Sequence, residues 1–459
     1  MTDARRTAAL AYLVAGSFFM ENLDGTVITT AIPQMAHSFH SDVVGLNVGI
    51  TAYLLALAVF VPMSGWLADR FGARNIFASA IAIFTVASIF CGVSQTLPEF
   101  TLARVIQGMG GAMMVPVGRL VVLRNTEKRD LVKAISTIVW PGLVAPVLGP
   151  PLGGFITDHA TWRWIFFLNI PLGLIALTIA LRIVPNLKTE ERTPFDWAGF
   201  VLVGLACTFL TLGLDKLSLG LFVVGIAFGI AAIYYLRRAA HPLMRFEALK
   251  IQTFALTLWG GSLARAAIGG MPFLLALYLQ VGFGLSAYES GKLVLWVFAG
   301  NLTMKTMTTA MLRRFGFRRT LLVNGLLATA SIGSIALLAP DTPYPLMAAL
   351  LFAGGLFRSM QFTALNTLGF ADVPPEQMSA ATTLSSTIGG LTFGAGVAFG
   401  AFALQIGRWL HATKSVDPSL ADFRFAFGLV ALMALGSLWD SFKLPGDAGQ
   451  EVSGHRKPV

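Results

Sequence analysis

Charged residues are scarce in this 459-residue chain: Asp, Glu, Lys and Arg make up 12% of it, while hydrophobic residues make up 55%. A soluble domain carries about 25% charged residues, because a hydrated surface must cover its core. The mean hydropathy of +0.72 is high as well. These proportions exclude a soluble protein, which would expose large apolar patches to water, and they predict a chain that uses a lipid bilayer as its solvent.

Cysteine, histidine and phosphate-binding motifs are also lacking. The two cysteines, Cys91 and Cys207, lie in separate apolar runs, so neither a disulfide framework nor a cysteine metal site is predicted. The six histidines fall in predicted loops, linkers and tails. No G-x-x-x-x-G-K-[ST] sequence occurs, so we expect no ATP-driven step. We therefore predict that the chain is not an enzyme and uses no cofactor or metal; a membrane-bound enzyme and a nontransporting receptor are the weaker alternatives.

Apolar stretches of about 20 residues, the length that crosses a bilayer, recur along the whole chain. We predict 14 spans in an all-α polytopic membrane protein, near 8–31, 46–67, 76–94, 100–121, 134–157, 164–184, 197–214, 218–236, 252–279, 289–311, 320–339, 346–367, 380–407 and 425–442. An even number of spans places both termini on one side of the membrane. The first span lacks a small-residue cleavage site and is predicted to be retained.

The net charge of +10 has a topological explanation. Most of the 33 lysines and arginines fall in the termini and in the predicted loops on the terminal side. Positive charge concentrates in cytoplasmic loops, so both termini are predicted to be cytoplasmic, in the inner membrane of a bacterium. The lipid bilayer is then the expected partner, and no nucleic-acid binding is expected.

A short internal repeat divides the chain. DRFGAR (69–74) after the second predicted span is echoed by RRFGFR (313–318) after the tenth. Two six-helix bundles related by a parallel repeat, with two helices inserted between them, account for this spacing. The predicted units are a first bundle, a linker carrying the two additional helices, a second bundle and a cytoplasmic tail, at 1–184, 185–250, 251–445 and 446–459.

Several motifs resemble those of one family. GWLADRFGAR (65–74) is similar to the signature loop of the major facilitator superfamily, and further segments resemble its fourteen-span drug:proton antiporters. Thr29 stands where the antiporter pattern has Asn, and Ala145 stands where it has Gly. The resemblance implies a major facilitator fold and export of drugs in exchange for protons. The further segments are LDGTVITTAIP (23–33), LARVIQGMGGA (102–112), PGLVAPVLGPPLGG (141–154) and WRWIFFLNIP (162–171).

Charges inside predicted spans mark the expected proton-coupling site. A charged side chain at a helix centre costs about 2.5–3.5 kcal/mol on insertion scales, so each one needs a cavity or a partner. Glu21 and Asp24 share one face of the first span, and two close carboxylates repel when both are ionised, which favours a shared proton. Arg104 lies at a similar depth and is expected to pair with one of them. The family resemblance ties this arginine to proton transfer.

Glycine, proline and charge mark the expected moving parts. The glycines and charges of the signature loop predict a tight reversal at the wet surface, and the Gly- and Pro-rich fifth span predicts a slim, bent helix at an interface. We assign conformational gating to Gly65, Asp69, Arg70, Gly72, Arg74, Gly149, Pro150, Gly153 and Gly154.

The second half carries cations but no acidic residue within its span centres. Two explanations are open for Arg265, Lys305 and Arg358. An anionic cargo, such as a carboxylate, would bring the counter-charge. Alternatively, the arginines bond backbone carbonyls and Lys305 extends to the membrane surface. Two cargo classes stay open: amphipathic drugs, often cationic, and organic anions or metabolites. We expect a monomer. The other predicted cargo contacts are Asn301, Gln361, Tyr53, Trp140 and Phe273.

Overall fold

Helices make up the secondary structure throughout the part of the chain that the structure describes. The computed structural model describes residues 3–126, 131–186, 194–215, 218–374, 377–412, 417–453 and 455. The α-helices are α1 (Asp3–Val27), α2 (Ile32–Ser38), α3 (Asn47–Phe71), α4 (Ala73–Val93), α5 (Leu97–Arg124), α6 (Leu131–His159), α7 (Trp164–Phe167), α8 (Asn169–Ile183), α9 (Trp197–Asp215), α10 (Leu219–Leu236), α11 (Gln252–Leu277), α12 (Ala287–Ile335), α13 (Tyr344–Ala371), α14 (Met378–Leu410), α15 (Leu420–Gly436), α16 (Leu438–Phe442) and α17 (Gln450–Ser453).

Nine helical segments among the described residues are long and apolar enough to cross a membrane. This confirms the all-helical membrane fold, but it does not fix the number of crossings at the predicted fourteen. The tenth and eleventh predicted spans form the single helix α12, which is interrupted at Gly316, where φ is 71°.

The glycine of the repeated loop has a positive φ in both halves. Gly72, between α3 and α4, has a φ of 97°, and its counterpart Gly316 has a φ of 71°. A side chain with a Cβ is strained at such angles, which explains glycine at both positions. The prediction that Gly65 belongs to the tight turn was wrong, because Gly65 lies inside α3, which continues to Phe71. A Cβ at Gly65 would meet nothing within 4 Å, so no close backbone approach requires glycine there.

The two six-helix halves share a large apolar core cluster at one end of the molecule. We call the end with the start of α1, Gly72 and Gly316 the terminal face, and the other end the distal face. One core cluster at the distal face draws on both halves, through residues such as Ile28, Phe100, Met271 and Leu404. At the terminal face, each half has its own cluster. The halves therefore share one cluster at the distal face, whereas these two clusters at the terminal face each belong to a single half.

Small residues form the joint at the distal face. Helix α6 of the first half packs on α12 of the second. A Cβ on Gly154 would lie 2.4 Å from the Ala287 carbonyl oxygen, and a Cβ on Gly291 would lie 2.4 Å from that of Pro150. Only glycine permits such backbone approach.

The inserted pair, α9 and α10, lies beside the other contact between the halves. Helix α3 packs on α14, and α9 contacts both of them. Phe200 of α9 meets Phe60 of α3 with ring centroids 5.3 Å apart. The extra helices thus cover the α3–α14 contact. Cys91 and Cys207 are both buried, and Cys91 donates from Sγ to Oε1 of Gln107 at 3.7 Å.

Candidate functional site

An ion pair buried in the first half is the centre of the candidate site. Nη1 of Arg104, on α5, lies 2.7 Å from Oδ2 of Asp24, on α1, and both side chains are almost completely inaccessible. Removing two charges from water costs several kcal/mol per ion, so such a pair forms only with close geometry and further hydrogen bonds.

Neutral polar groups supply those further bonds. Gln107 donates from Nε2 to Oδ1 of Asp24 at 2.9 Å and to Oγ of Ser88 at 2.8 Å. Asn169 donates to the same Asp24 oxygen at 2.8 Å. Oε1 of Gln107 accepts a hydrogen bond from Nη1 of Arg104 at 2.5 Å. The Asp24 carboxylate therefore accepts hydrogen bonds from three protein donors, as an ionised carboxylate inside a protein requires.

Close helix packing holds this network in place. Four helices supply it: α1 and α4 each contact both α5 and α8. One turn beyond Arg104, a Cβ on Gly108 would lie 2.6 Å from the Tyr53 carbonyl oxygen, and a Cβ on Gly110 would lie 2.8 Å from the Phe84 nitrogen. These glycines bring α5 against α3 and α4, so the polar groups have little freedom to separate.

Tyr53 and Glu21 extend the site towards the interior of the first half. The Tyr53 ring lies 4.1 Å from the Arg104 guanidinium carbon, a cation–π contact. A Cβ on Gly111 would lie 3.3 Å from the Tyr53 hydroxyl and 3.6 Å from the Glu21 carboxyl carbon, so glycine there leaves room for both groups. Among the described residues, neither Oε2 of Glu21 nor the Tyr53 hydroxyl has a hydrogen-bond partner, although both are buried.

The predicted cations of the second half do not gather at one point. Arg265 donates from Nη2 to Oδ1 of Asn366 at 2.8 Å, and Lys305 donates to Oγ1 of Thr363 at 2.8 Å. Arg358 lines an internal cavity with Gln361. Because Thr363 follows Arg358 by five residues, the two point about 140° apart around α13. Among the described residues, none of the three cations forms an ion pair with a carboxylate.

The other predicted cargo contacts are dispersed. Phe273 is buried in the core cluster that both halves share, so it packs the distal joint. Trp140 is 59% exposed on α6. Asn301 accepts a hydrogen bond from Ser359 through its backbone oxygen at 2.9 Å. Only Tyr53 among the predicted aromatic contacts touches the Asp24–Arg104 network.

The predicted gating residues fall at both faces. At the distal face, a Cβ on Gly149 or Gly153 would overlap the last turn of α1, and Pro150 and Gly154 meet α12. At the terminal face, Asp69 and Arg70 occupy the last turn of α3, and Arg74 lies in the first turn of α4. The Arg70 guanidinium lies 5.4 Å from the Trp66 ring.

Sequence reasoning missed three members of the network: Ser88, Gln107 and Asn169. Neutral amides and hydroxyls are common in helices and carry no charge that demands a partner. The available signal was spacing, because Gln107 follows Arg104 by three residues and so shares its helix face. Asn169 falls within the segment WRWIFFLNIP.

Residues 14–397 match the family model described as Major Facilitator Superfamily. The chain belongs to this superfamily. A major facilitator protein of Escherichia fergusonii, MdtD, which is named for multidrug resistance, is 34% identical over 97% of this chain and 96% of its own length. MdtD of Escherichia coli is 35% identical with the same coverage.

Solved structures of other major facilitator transporters share the fold. A variant of the nucleoside transporter NupG has a TM-score of 0.69 at 13% identity and covers 95% of this chain and 99% of its own. A bacterial homologue of the human lysosomal transporter Spinster, inward-facing and unoccupied, also scores 0.69, at 16% identity, over 100% and 99%. These neighbours show the fold; the family match and the apolar helices make the chain a multi-pass membrane transporter of small molecules. Within the described residues, no three His, Cys, Asp or Glu side chains are grouped to hold a metal ion.

Proposed function

We propose that the protein is a proton-coupled antiporter that exports small amphipathic molecules by alternating access. The observation that carries the proposal is the buried Asp24–Arg104 ion pair, at 2.7 Å, in a membrane helix bundle. A charged pair is expensive there, and a single proton on Asp24 would cancel its negative charge. The expected setting is the bacterial inner membrane, with both termini cytoplasmic and the protein acting as a monomer.

The position of Asp24 supports a link between the proton and the shape of the molecule. One turn beyond it, Thr26 and Val27 lie against Gly149 and Gly153 of α6. Thr30 donates to the Pro150 carbonyl oxygen at 3.4 Å, and the turn Ile28–Thr30 contacts α11 and α12 of the second half. Protonation of Asp24 would weaken its interactions with Arg104 and Asn169. Because the end of α1 is part of the distal joint, a change at Asp24 would reach that joint.

Glu21 gives the site a second carboxyl group. It lies one turn from Asp24 on α1, and Oε2 has no hydrogen-bond donor among the described residues. Burial without a donor costs least for a neutral carboxyl group. We propose that Glu21 holds a proton while Asp24 is paired with Arg104, so that the two carboxyls exchange one proton.

The relatives named for multidrug resistance support amphipathic drugs as the cargo. A second candidate is an organic anion or metabolite, such as a carboxylate, bound by Arg265, Lys305 and Arg358. The observation that favours it is the lack of a carboxylate partner for these cations among the described residues. Lys305 contacts α13 at Thr363, about 140° around that helix from Arg358, which argues against one shared site.

A transport assay separates the two cargo classes. In inverted membrane vesicles, we expect a cationic amphipathic dye to accumulate when the vesicle interior is acidified, and a carboxylate panel to show no accumulation. The double variant Arg265→Gln, Lys305→Gln should leave dye transport intact. If the wild type accumulates carboxylates and the double variant does not, the protein is instead an anion transporter. If neither the dye nor any carboxylate accumulates, both cargo proposals are contradicted.

A further inference from the structure

A basic segment between α10 and α11 has no part in the proposed transport mechanism. Residues 237–250, with the sequence RRAAHPLMRFEALK, alternate cationic with apolar side chains. All of the Lys and Arg residues in the segment are exposed, whereas Met244 and Ala248 are buried. The segment therefore presents charge on one side and packs apolar groups on the other, as a chain at a membrane interface does.

Hydrogen bonds and apolar packing fix this segment at the terminal face. Oδ2 of Asp196, just before α9, accepts a hydrogen bond from the Leu243 backbone nitrogen at 2.9 Å, and Oδ1 accepts one from that of Gly199 at 2.8 Å. Met244 and Ala248 belong to a core cluster that α9, α10 and α11 share. The cations therefore extend from a backbone that is tied to three helices.

Aromatic residues place the segment at the level of the lipid headgroups. Tyr234 and Tyr235 lie in the last turn of α10, Trp197 begins α9, and all three are exposed. Tyr and Trp concentrate at the membrane–water interface. Only 17% of α10 is buried inside the protein, so most of this helix faces lipid. A lipid whose chains lie along α10 would have its headgroup beside the segment.

The segment and the end of α10 form an open pocket of about 850 Å³, within the roughly 300–1,000 Å³ of small-ligand sites. Its lining includes three cations, Arg237, Arg245 and Lys250, and one acid, Glu247. Three positive charges against one negative charge leave an excess of two. Within the part of the chain that the structure describes, none of the three cations forms an ion pair with a carboxylate. The pocket therefore suits an anion.

An anionic phospholipid matches both the charge and the position of the pocket. Its phosphate group would lie among basic side chains, and arginine pairs well with phosphate oxygens. The pocket also has apolar lining, from Leu236, Phe246 and Leu249, which the glycerol and the first methylenes of a lipid would cover. A soluble phosphorylated compound has the same charge but would leave these apolar groups in water.

We propose that this pocket binds the headgroup of one anionic phospholipid, whose acyl chains lie along α10. The lipid joins the end of α10 to the segment 237–250 and so stabilises the inserted pair against α11 of the second half. This site is separate from the proposed cargo and proton functions and stands if either of them fails.

The test is the melting temperature of the delipidated full-length protein in a nonionic detergent, with added phosphatidylglycerol or phosphatidylcholine. We expect phosphatidylglycerol to raise Tm saturably, by a few degrees more than phosphatidylcholine, as a ligand of the folded state does. Glycerol phosphate carries the charged group without acyl chains and should leave Tm unchanged. The triple variant Arg237→Gln, Arg245→Gln, Lys250→Gln should remove the difference between the two lipids.

The matched control removes three exposed cations of the same face, through Arg313→Gln, Arg314→Gln and Arg319→Gln, and should keep the difference. The single variant Arg245→Glu covers the case in which the pocket variant does not fold. It leaves two cations against two acids in the lining, so it should lose the difference as well.

Three results would overturn the proposal. The first is an equal Tm of the wild type in the two lipids. The second is a lipid difference that persists in the pocket variants, or one that the control variant loses, because either result would show a general effect of charge. The third is an equal rise of Tm with glycerol phosphate, which would assign the pocket to a soluble phosphorylated compound.

Discussion

Replacing Asp24 with asparagine is expected to reduce pH-driven transport to the level of protein-free liposomes. The amide still accepts hydrogen bonds from Gln107 and Asn169, but it neither balances Arg104 nor carries a transferable proton. Removing one partner of a buried ion pair typically costs about 3–5 kcal/mol, because the remaining charge is left uncompensated. The measurements are cargo uptake into proteoliposomes under an imposed pH gradient and the free energy of unfolding.

A double variant separates loss of coupling from loss of folding. Asp24→Asn with Arg104→Gln removes both charges, so we expect it to regain most of the stability that the single variant loses, while pH-driven transport stays absent. Asp341→Asn, which changes an exposed carboxylate between α12 and α13, is the matched control and should transport normally. Undiminished pH-driven transport in the single or the double variant would remove Asp24 from the mechanism.

Replacing Gly291 with leucine is expected to open the distal face and stop transport. A Cβ at this position would lie 2.4 Å from the Pro150 carbonyl oxygen of the other half, so the distal joint cannot close around a larger side chain. Overpacking costs about 1–3 kcal/mol, and that energy shifts a two-state ratio by about 5- to 150-fold. The state with a closed distal face, which the structure represents, would lose population.

A cysteine reporter measures this shift. Thr29 is buried in the turn that contacts α11, so Thr29→Cys should react slowly with an impermeant maleimide in a background with Cys91 and Cys207 replaced by alanine. Adding Gly291→Leu should increase the rate severalfold.

The control for this experiment lies on the same helix. A Cβ at Gly333 of α12 would meet nothing within 4 Å, so Gly333→Leu should leave the labelling rate unchanged. Equal labelling rates with and without Gly291→Leu would contradict the assignment of Gly291 to the distal joint.

The Asp42–Arg408 ion pair between the halves, at 2.9 Å, is partly exposed and contributes at most about 1 kcal/mol to that joint.

The family and the pairing of Arg104 with a carboxylate of the first span were accessible from sequence, although the choice between Asp24 and Glu21 stayed open. A charge in an apolar span demands a partner, and only a few partners exist at the same depth. Gly72 and Gly316 were likewise identifiable as a pair, since a left-handed backbone position strongly prefers glycine.

Other features depend on packing that sequence does not display. Gly65 was assigned to a turn because glycine favours turns, yet the helix continues through it. Ser88, Gln107 and Asn169 come from three helices, and their convergence requires the fold. Lys305 and Arg358 were grouped by charge, whereas Lys305 lies on α12 and bonds Thr363, which points about 140° away from Arg358 around α13.

The most direct test of the central claim reverses the direction of coupling. An antiporter must move protons when cargo alone supplies the driving force. In proteoliposomes with an imposed cargo gradient and no pH gradient, a pH-sensitive dye reports the proton movement. We predict protons moving opposite to the cargo in the wild type and none in Asp24→Asn. Cargo movement without proton movement, or protons moving with the cargo, would contradict proton antiport through this site.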